Sequence, residues 1–254
     1  MREWVDALLA VLLAPTCVAC HRPLSHPTRG CICTDCWNAL VTFQPPLCVQ
    51  CGDALSSGVR APGVLQGTEP AVVGSSFSQT CTHCLRTTSS VTVSRAVGPY
   101  AGTLRAAVHA LKYDGRRSLA APLAMLMRDA GADILRGCVA AVPVPLHPAR
   151  RRDRGFNQAD DLARHIGLPV VRALRRTRHT DTQTALPADQ RHTNVVGAFT
   201  FNRRAGALSG QAVVLIDDVR TTGATLEACA LALREAGVTD VRALTAARVE
   251  TPGE

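Results

Sequence analysis

Lysine is almost missing from this chain of 254 residues: of 28 basic side chains only Lys112 is not an arginine. Arginine takes its place throughout, so the number of arginines alone says little about guanidinium chemistry. Aromatic residues make up only 4%, which excludes an extended base-stacking platform. Long apolar runs are missing too. The longest candidate near the start, Val5–Ala14, is too short to cross a bilayer and lacks the charged start and small-residue cleavage pattern of a secretory signal. Trp4, Leu8 and Leu12, with Val5 and Leu9, fall at helical spacing, which predicts an amphipathic helix packed on the body of a cytoplasmic protein, with a signal-anchor as the alternative. The balance that remains is basic, +8 with a pI near 9.2, and favours phosphorylated or polyanionic ligands.

Cysteine is scarce beyond residue 85, where Cys138 and Cys229 stand alone. Before it there are nine, eight of them in Cys-x-x-Cys pairs: Cys17/Cys20, Cys33/Cys36, Cys48/Cys51 and Cys81/Cys84, with Cys31 as an extra neighbour. Two residues between thiolates make the knuckle that wraps zinc, and eight thiolates fill two tetrahedral sites. The competing reading, disulfides of a secreted protein, fits poorly with the missing signal and with adjacent pairs of this spacing. His21, His26 and His83 are possible substitutes. Residues 52–80 carry five glycines, five serines and two prolines and read as a flexible insertion. The expected division is a helix and cysteine-rich module over 1–89 and a larger domain over 90–254.

From residue 90 the pattern alternates. Strands are predicted over Val91–Val97, Val139–Val144 and Val241–Val249, with shorter ones at Gly167–Val171 and Val195–Phe201. Helices are predicted over Leu104–Tyr113, Leu119–Ala130 and Gln158–Ile166. That alternation implies an α/β domain with a parallel sheet and helices on both faces. The most informative stretch is VVLIDDVRTTGAT, Val213–Thr225. Val213–Ile216 reads as a buried strand, followed by the acids Asp217 and Asp218. Thr221, Thr222, Gly223, Ala224 and Thr225 then turn into a helix. The N–H groups of a helix start, the positive end of its dipole and the threonine hydroxyls converge on one anion. The acids would repel that anion, so they suit ribose hydroxyls or magnesium instead.

The strand at Val139–Val144 runs into PVPLHPARRRDRGFNQ, which carries Arg150, Arg151, Arg152 and Arg154. These should fall on the same rim as Asp217, where guanidinium groups grip a pyrophosphate bidentately. A polar loop over 175–194 adds four arginines and reads equally as a closing loop or a linker.

The DDVxTTGAT stretch resembles the phosphoribosyl-pyrophosphate (PRPP) motif of type I phosphoribosyltransferases. Together with PVPLHxxRxxxRGFNQ, LKYDG at Leu111–Gly115, the residues Arg178, Gln183, Arg191, Asn194 and Gly197–Phe199, and the cysteine knuckles, it is most similar to the ComF family of competence proteins. The resemblance covers nearly the whole chain. It implies a type I phosphoribosyltransferase sheet preceded by a double zinc ribbon.

It further implies that Thr221–Thr225 hold the 5-phosphate of PRPP and that Asp217 and Asp218 hold ribose and magnesium. Arg151 and Arg154 are the arginines the pattern fixes on the pyrophosphate side. In purine-salvage relatives an aspartate stands where this chain has Thr221, so base-directed proton transfer from that position is absent. Two functions follow from the resemblance. One is a PRPP/magnesium-binding protein of DNA uptake that handles single-stranded DNA and docks to a helicase or other uptake proteins, in the cytoplasm or peripherally at the inner membrane. The other is an active transferase that moves ribose 5-phosphate onto a nitrogenous acceptor.

Overall fold

The computed structural model describes residues 2–55, 79–177 and 197–249. Helix α1 covers Arg2–Leu13, α2 Thr34–Asn38 and α3 Thr82–Arg86. The larger domain follows with β1 (Val93–Pro99), α4 (Gly102–Tyr113), α5 (Ala120–Ala130), α6 (Ala132–Leu135), β2 (Ala140–Pro143), α7 (Pro148–Arg154) and α8 (Gln158–Ala163). The chain then runs through β3 (Leu174–Arg176), β4 (Phe199–Phe201), β5 (Ala212–Arg220), α9 (Ala224–Glu235) and β6 (Asp240–Arg248).

Four strands form one sheet in the order β1-β6-β5-β2, and every pairing is parallel. Val213, Val214, Leu215 and Ile216 are fully buried, as expected of a strand covered on both faces. One face packs on α4 and α5 through Leu104, Val108, Leu111, Leu123 and Met127. The other packs on α9 and the β3–β4 pair through Leu226, Cys229, Leu233, Leu174 and Phe199. Helices therefore cover both faces.

Three expectations need correction. The strand at Val213 does not stop at Ile216; pairing with β6 continues to Arg220 opposite Arg248, so Asp217 and Asp218 lie inside the strand. The strand expected at Val195–Phe201 forms only over Phe199–Phe201 among the described residues, and it pairs antiparallel with β3 outside the main sheet. Gly167–Val171 contributes a single parallel bridge, Ala141 with Val170. Helix α1 also behaves unexpectedly. Its buried residue is Asp6, whose carboxylate accepts from the Thr28 N–H at 2.8 Å, while Trp4, Leu8, Val11 and Leu12 are exposed. A polar anchor, not the apolar stripe, holds it to the body. No helix among the described residues is long and apolar enough to cross a membrane.

The cysteine module lies against the sheet. Phe43 N–H donates to the Val97 carbonyl at 2.9 Å, and a Cβ at Gly98 would collide with the Val41 carbonyl. Only glycine lets the two backbones come this close. Most of the 52–80 insertion and of the 175–194 loop, including Arg178, Gln183, Arg191 and Asn194, lies outside the described residues.

Candidate functional site

The carboxyl ends of the parallel strands open into a cleft of about 530 Å³, where a doubly covered sheet binds its ligands. Asp217, Asp218, Thr221, Gly223 and Thr225 line it from β5 and α9. Arg150 and Arg154 line it from α7, Arg176 from β3, and Lys112 and Tyr113 from α4.

The two acids are not equivalent. Successive residues of a strand point to opposite faces, so the pair splits. Asp218 turns toward α4 and is paired with Lys112, Nζ to Oδ1 at 2.8 Å, with both side chains largely buried. Burial opposes the Lys112 charge, but Asp218 outweighs it and the lysine is held more firmly protonated than usual. Asp217 turns toward β3 and α9. Burial, and then the charge of Asp218, push its carboxyl up to about 7, against the pull of Lys112 and Arg176. Its Oδ1 accepts from the Asp218 N–H at 2.8 Å. The chain's one lysine is thus paired with one acid, while the other lines the cleft without an ion pair of that kind to Lys112.

The turn is built around Gly223, which adopts φ +82° and caps α9. That left-handed conformation suits glycine and strains a branched residue. Thr221 and Thr225 face the cleft. Thr222 does not: it lines a separate small cavity, and its hydroxyl accepts weakly from the Ala224 N–H at 3.4 Å. Ala224 is buried. Of the five expected turn residues, three line the cleft and two do not.

Much of PVPLHPARRRDRGFNQ is scaffold. His147 caps the start of α7, accepting from Ala149 N–H at 3.2 Å. Gly155 ends it at φ +74°. Asn157 caps α8 and donates to the Val144 carbonyl at 3.0 Å. Between these caps the helical period selects Arg150, Asp153 and Arg154 for the cleft. Arg151 is exposed and is not among the residues that line the cleft. Arg154 stacks on the Tyr113 ring at 4.8 Å and donates to Gln158 Oε1 at 3.4 Å.

Nothing local in the sequence singles out Arg176. It lies over the Phe199 ring at 5.4 Å, and burial, followed by the charge of Arg150, lowers its pKa. Only the pairing of β3 with β4 brings it to the cleft.

The eight paired cysteines gather into two groups, Cys17/Cys20/Cys33/Cys36 and Cys48/Cys51/Cys81/Cys84, each with its sulfurs within 4.8 Å of one another. A tetrahedral zinc–thiolate site, with bonds of about 2.3 Å, sets its sulfurs about 3.8 Å apart. Cys20 and Cys33 are separated by 3.8 Å, and Cys51 and Cys81 by 3.6 Å. Amide donors point at the sulfurs, from Cys33 N to Cys17 Sγ and from Cys81 N to Cys48 Sγ at 3.3 Å each.

The Arg22 backbone and side chain pull Cys20 down to about 6. Burial pushes Cys48 up, but the N–H groups of Cys51, Cys81 and Gln50 outweigh it and bring that thiol to about 6. Burial and neighbouring thiols push Cys36 and Cys51 up. Thiolates so close together repel one another unless a cation sits between them. The residues fit zinc; His21, His26 and His83 belong to neither group.

A parallel sheet with a phosphate-type turn at its carboxyl rim, joined to two four-cysteine groups, defines a phosphoribosyltransferase-type protein with a double zinc ribbon. The comparisons agree. Residues 152–252 match the phosphoribosyl transferase domain and residues 8–85 the double zinc ribbon domain. Competence protein F of Haemophilus influenzae is 29% identical over 242 residues, 91% of this chain and 96% of its own. The DNA utilization protein YhgH of Salmonella typhimurium is 31% identical over 234 residues, 88% of this chain and 92% of its own. Competence protein ComFC of Streptococcus pneumoniae is 31% identical over 107 residues, 42% of this chain and 47% of its own. The chain belongs to the ComF family.

Proposed function

We propose that the cleft binds PRPP with its magnesium and that the protein acts in the uptake or use of DNA. The observation that carries the first part is the convergence of the turn, the acid pair and four arginines, Arg150, Arg154, Arg176 and Arg220, on one cleft. Thr221, the Gly223 backbone and Thr225 would cradle the 5-phosphate at the start of α9. Asp217 would accept from the ribose hydroxyls or hold the magnesium that PRPP carries. Asp218 supports it through Lys112, and Arg150, Arg154 and Arg176 would take the pyrophosphate. The second part rests on the relatives, which are named for competence and DNA utilization. The exposed Arg151 and Arg152 offer a contact to a nucleic-acid backbone just outside the cleft.

A transfer of ribose 5-phosphate to a nitrogen acceptor is the second reading. The same groups favour it, since arginines at the leaving pyrophosphate stabilise developing charge. Titration of the zinc-loaded chain with PRPP and magnesium tests the binding. Gly223→Val should abolish it while the chain keeps both zinc ions, because the left-handed turn cannot tolerate a branched side chain. Unchanged binding by that variant places the site elsewhere. Pyrophosphate release with a candidate base would establish the transfer.

A further inference from the structure

Arg220 occupies the variable position inside DDVxTTGAT, at the last residue of β5 and just before the turn. It lines the ligand cleft on one side. On the other it lines a small cavity of about 90 Å³ that also touches Cys51, Cys84, Thr222 and Gly223. Its Nη1 donates to the Ser94 hydroxyl at 2.7 Å and to the Cys51 carbonyl at 3.1 Å. Ser94 itself donates to that carbonyl at 3.1 Å. The Nε lies 3.3 Å from where a Cβ of Gly223 would sit, so the guanidinium lies directly under the turn. One side chain therefore joins a metal-ligand residue to the phosphate turn.

Two neighbours repeat the arrangement. Arg95 on β1 donates to the Val49 carbonyl at 3.2 Å, and Arg248 on β6 is paired with Asp53. Three adjacent strands thus hold the loop that contains Cys51. The position of the Cys51 carbonyl depends on its own sulfur being held. Metal binding supplies much of the folding free energy of such small units, so without a cation the knuckle that presents this carbonyl loses its reason to close.

We infer that Arg220 is a positioning residue that couples the second cysteine group to the phosphate turn, so that metal occupancy of that group sets the affinity of the turn for a phosphate monoester. The inference rests on the phosphoribosyl reading of the cleft. The first group, Cys17/Cys20/Cys33/Cys36, has no such link among the described residues.

The test is calorimetry of the full zinc-loaded chain with two separate ligands, ribose 5-phosphate and pyrophosphate. Ser94→Ala removes an acceptor of Arg220 and touches neither the cleft nor a cysteine sulfur. It should keep both zinc ions and weaken ribose 5-phosphate by about tenfold, a usual size for coupled sites, while pyrophosphate changes by less than about threefold. Cys84→Ser should show the same split and Cys20→Ser should not. Ribose 5-phosphate binding equal to the parent's in Ser94→Ala overturns the coupling. So does an equal loss of both ligands, which marks general disruption. A parent chain that binds neither ligand removes the phosphoribosyl reading and the inference with it.

Discussion

The two cysteine groups look alike in the sequence and are used differently in the fold. The first is embedded in apolar packing. Cys17, Leu24, Ile32 and Cys36 share one buried cluster with Leu104, Leu111 and Leu123 of the larger domain. The second is tied down by hydrogen bonds and charge from three adjacent strands of the sheet, through Arg95, Arg220 and Arg248. Apolar packing is tolerant of small shifts and carries no directional message. Hydrogen bonds to one carbonyl are directional and fail over a fraction of an ångström. A metal site held the first way is a staple, and one held the second way is also a gauge.

Breaking the metal sites is the strongest challenge to that contrast. Zinc contributes about 10–16 kcal/mol to the folding of small zinc peptides, so Cys48→Ser should unfold its ribbon, and Cys17→Ser its own. Metal analysis should fall from two zinc ions to one in each variant. The ligand cleft should respond unequally: Cys48→Ser should lose PRPP affinity and Cys17→Ser should largely keep it. Equal losses in the two variants would erase the distinction between staple and gauge. No zinc in freshly reduced protein would remove the metal reading altogether.

The same division, between a group held as scaffold and a group left for the ligand, recurs in the acid pair. Asp218→Asn leaves Lys112 charged, largely buried and unpaired, a loss of about 3–5 kcal/mol that urea denaturation would register. Asp217→Asn should act in the opposite direction on stability. It relieves a buried like-charge contact while weakening sugar recognition. If the two substitutions move stability the same way, the pair is not split as the strand geometry has it.

The pH dependence sharpens this further. The raised pKa of Asp217, about 7, means that the folded chain holds a proton between roughly pH 4 and 7 that the unfolded chain has lost. Stability should therefore fall as pH rises across that window, by at most about 1.4 kcal/mol per pH unit. Asp217→Asn should flatten that fall. Binding of a magnesium complex needs the carboxylate, so PRPP affinity should rise between about pH 6 and 8 with release of a proton. A flat affinity profile in calorimetry would mean that Asp217 is already ionised or takes no part.

What the sequence made legible follows the range of the interactions. The knuckles and the β5–turn–α9 unit are local, and their residue types are dictated by metal geometry and an anion at a helix start. The parallel sheet followed from alternation. Four features were not legible in it. Three of them join residues far apart in the chain. Arg176 reaches the cleft only through pairing of β3 with β4, and Lys112 meets Asp218 only when α4 packs on the sheet. Arg220 meets Cys51 across 169 positions. The fourth is the exposed stripe of α1, because amphipathic spacing shows that a helix has an apolar side, not that the body covers it.

The smallest expected effects separate the arginines of α7, which the sequence presents as one run. Over seven residues the helix turns Arg150 and Arg154 into the cleft and leaves Arg151 outside it. Arg150→Ala and Arg154→Ala should each weaken PRPP by removing a charge-assisted hydrogen bond to the pyrophosphate, about 1.5–3 kcal/mol apiece. Arg151→Ala should change PRPP affinity by less than about twofold, since an exposed charge beyond the cleft is screened by salt. On single-stranded DNA the ordering should differ. Binding to the nucleic-acid backbone depends on counterion release and not on cleft geometry, so Arg151→Ala should reduce the salt slope by about 0.7 for each phosphate that the variant no longer neutralises. If Arg151→Ala weakens PRPP as much as Arg154→Ala does, then α7 does not present its residues as the helical period requires. If it leaves the salt slope untouched, the outer face of that helix carries no nucleic acid.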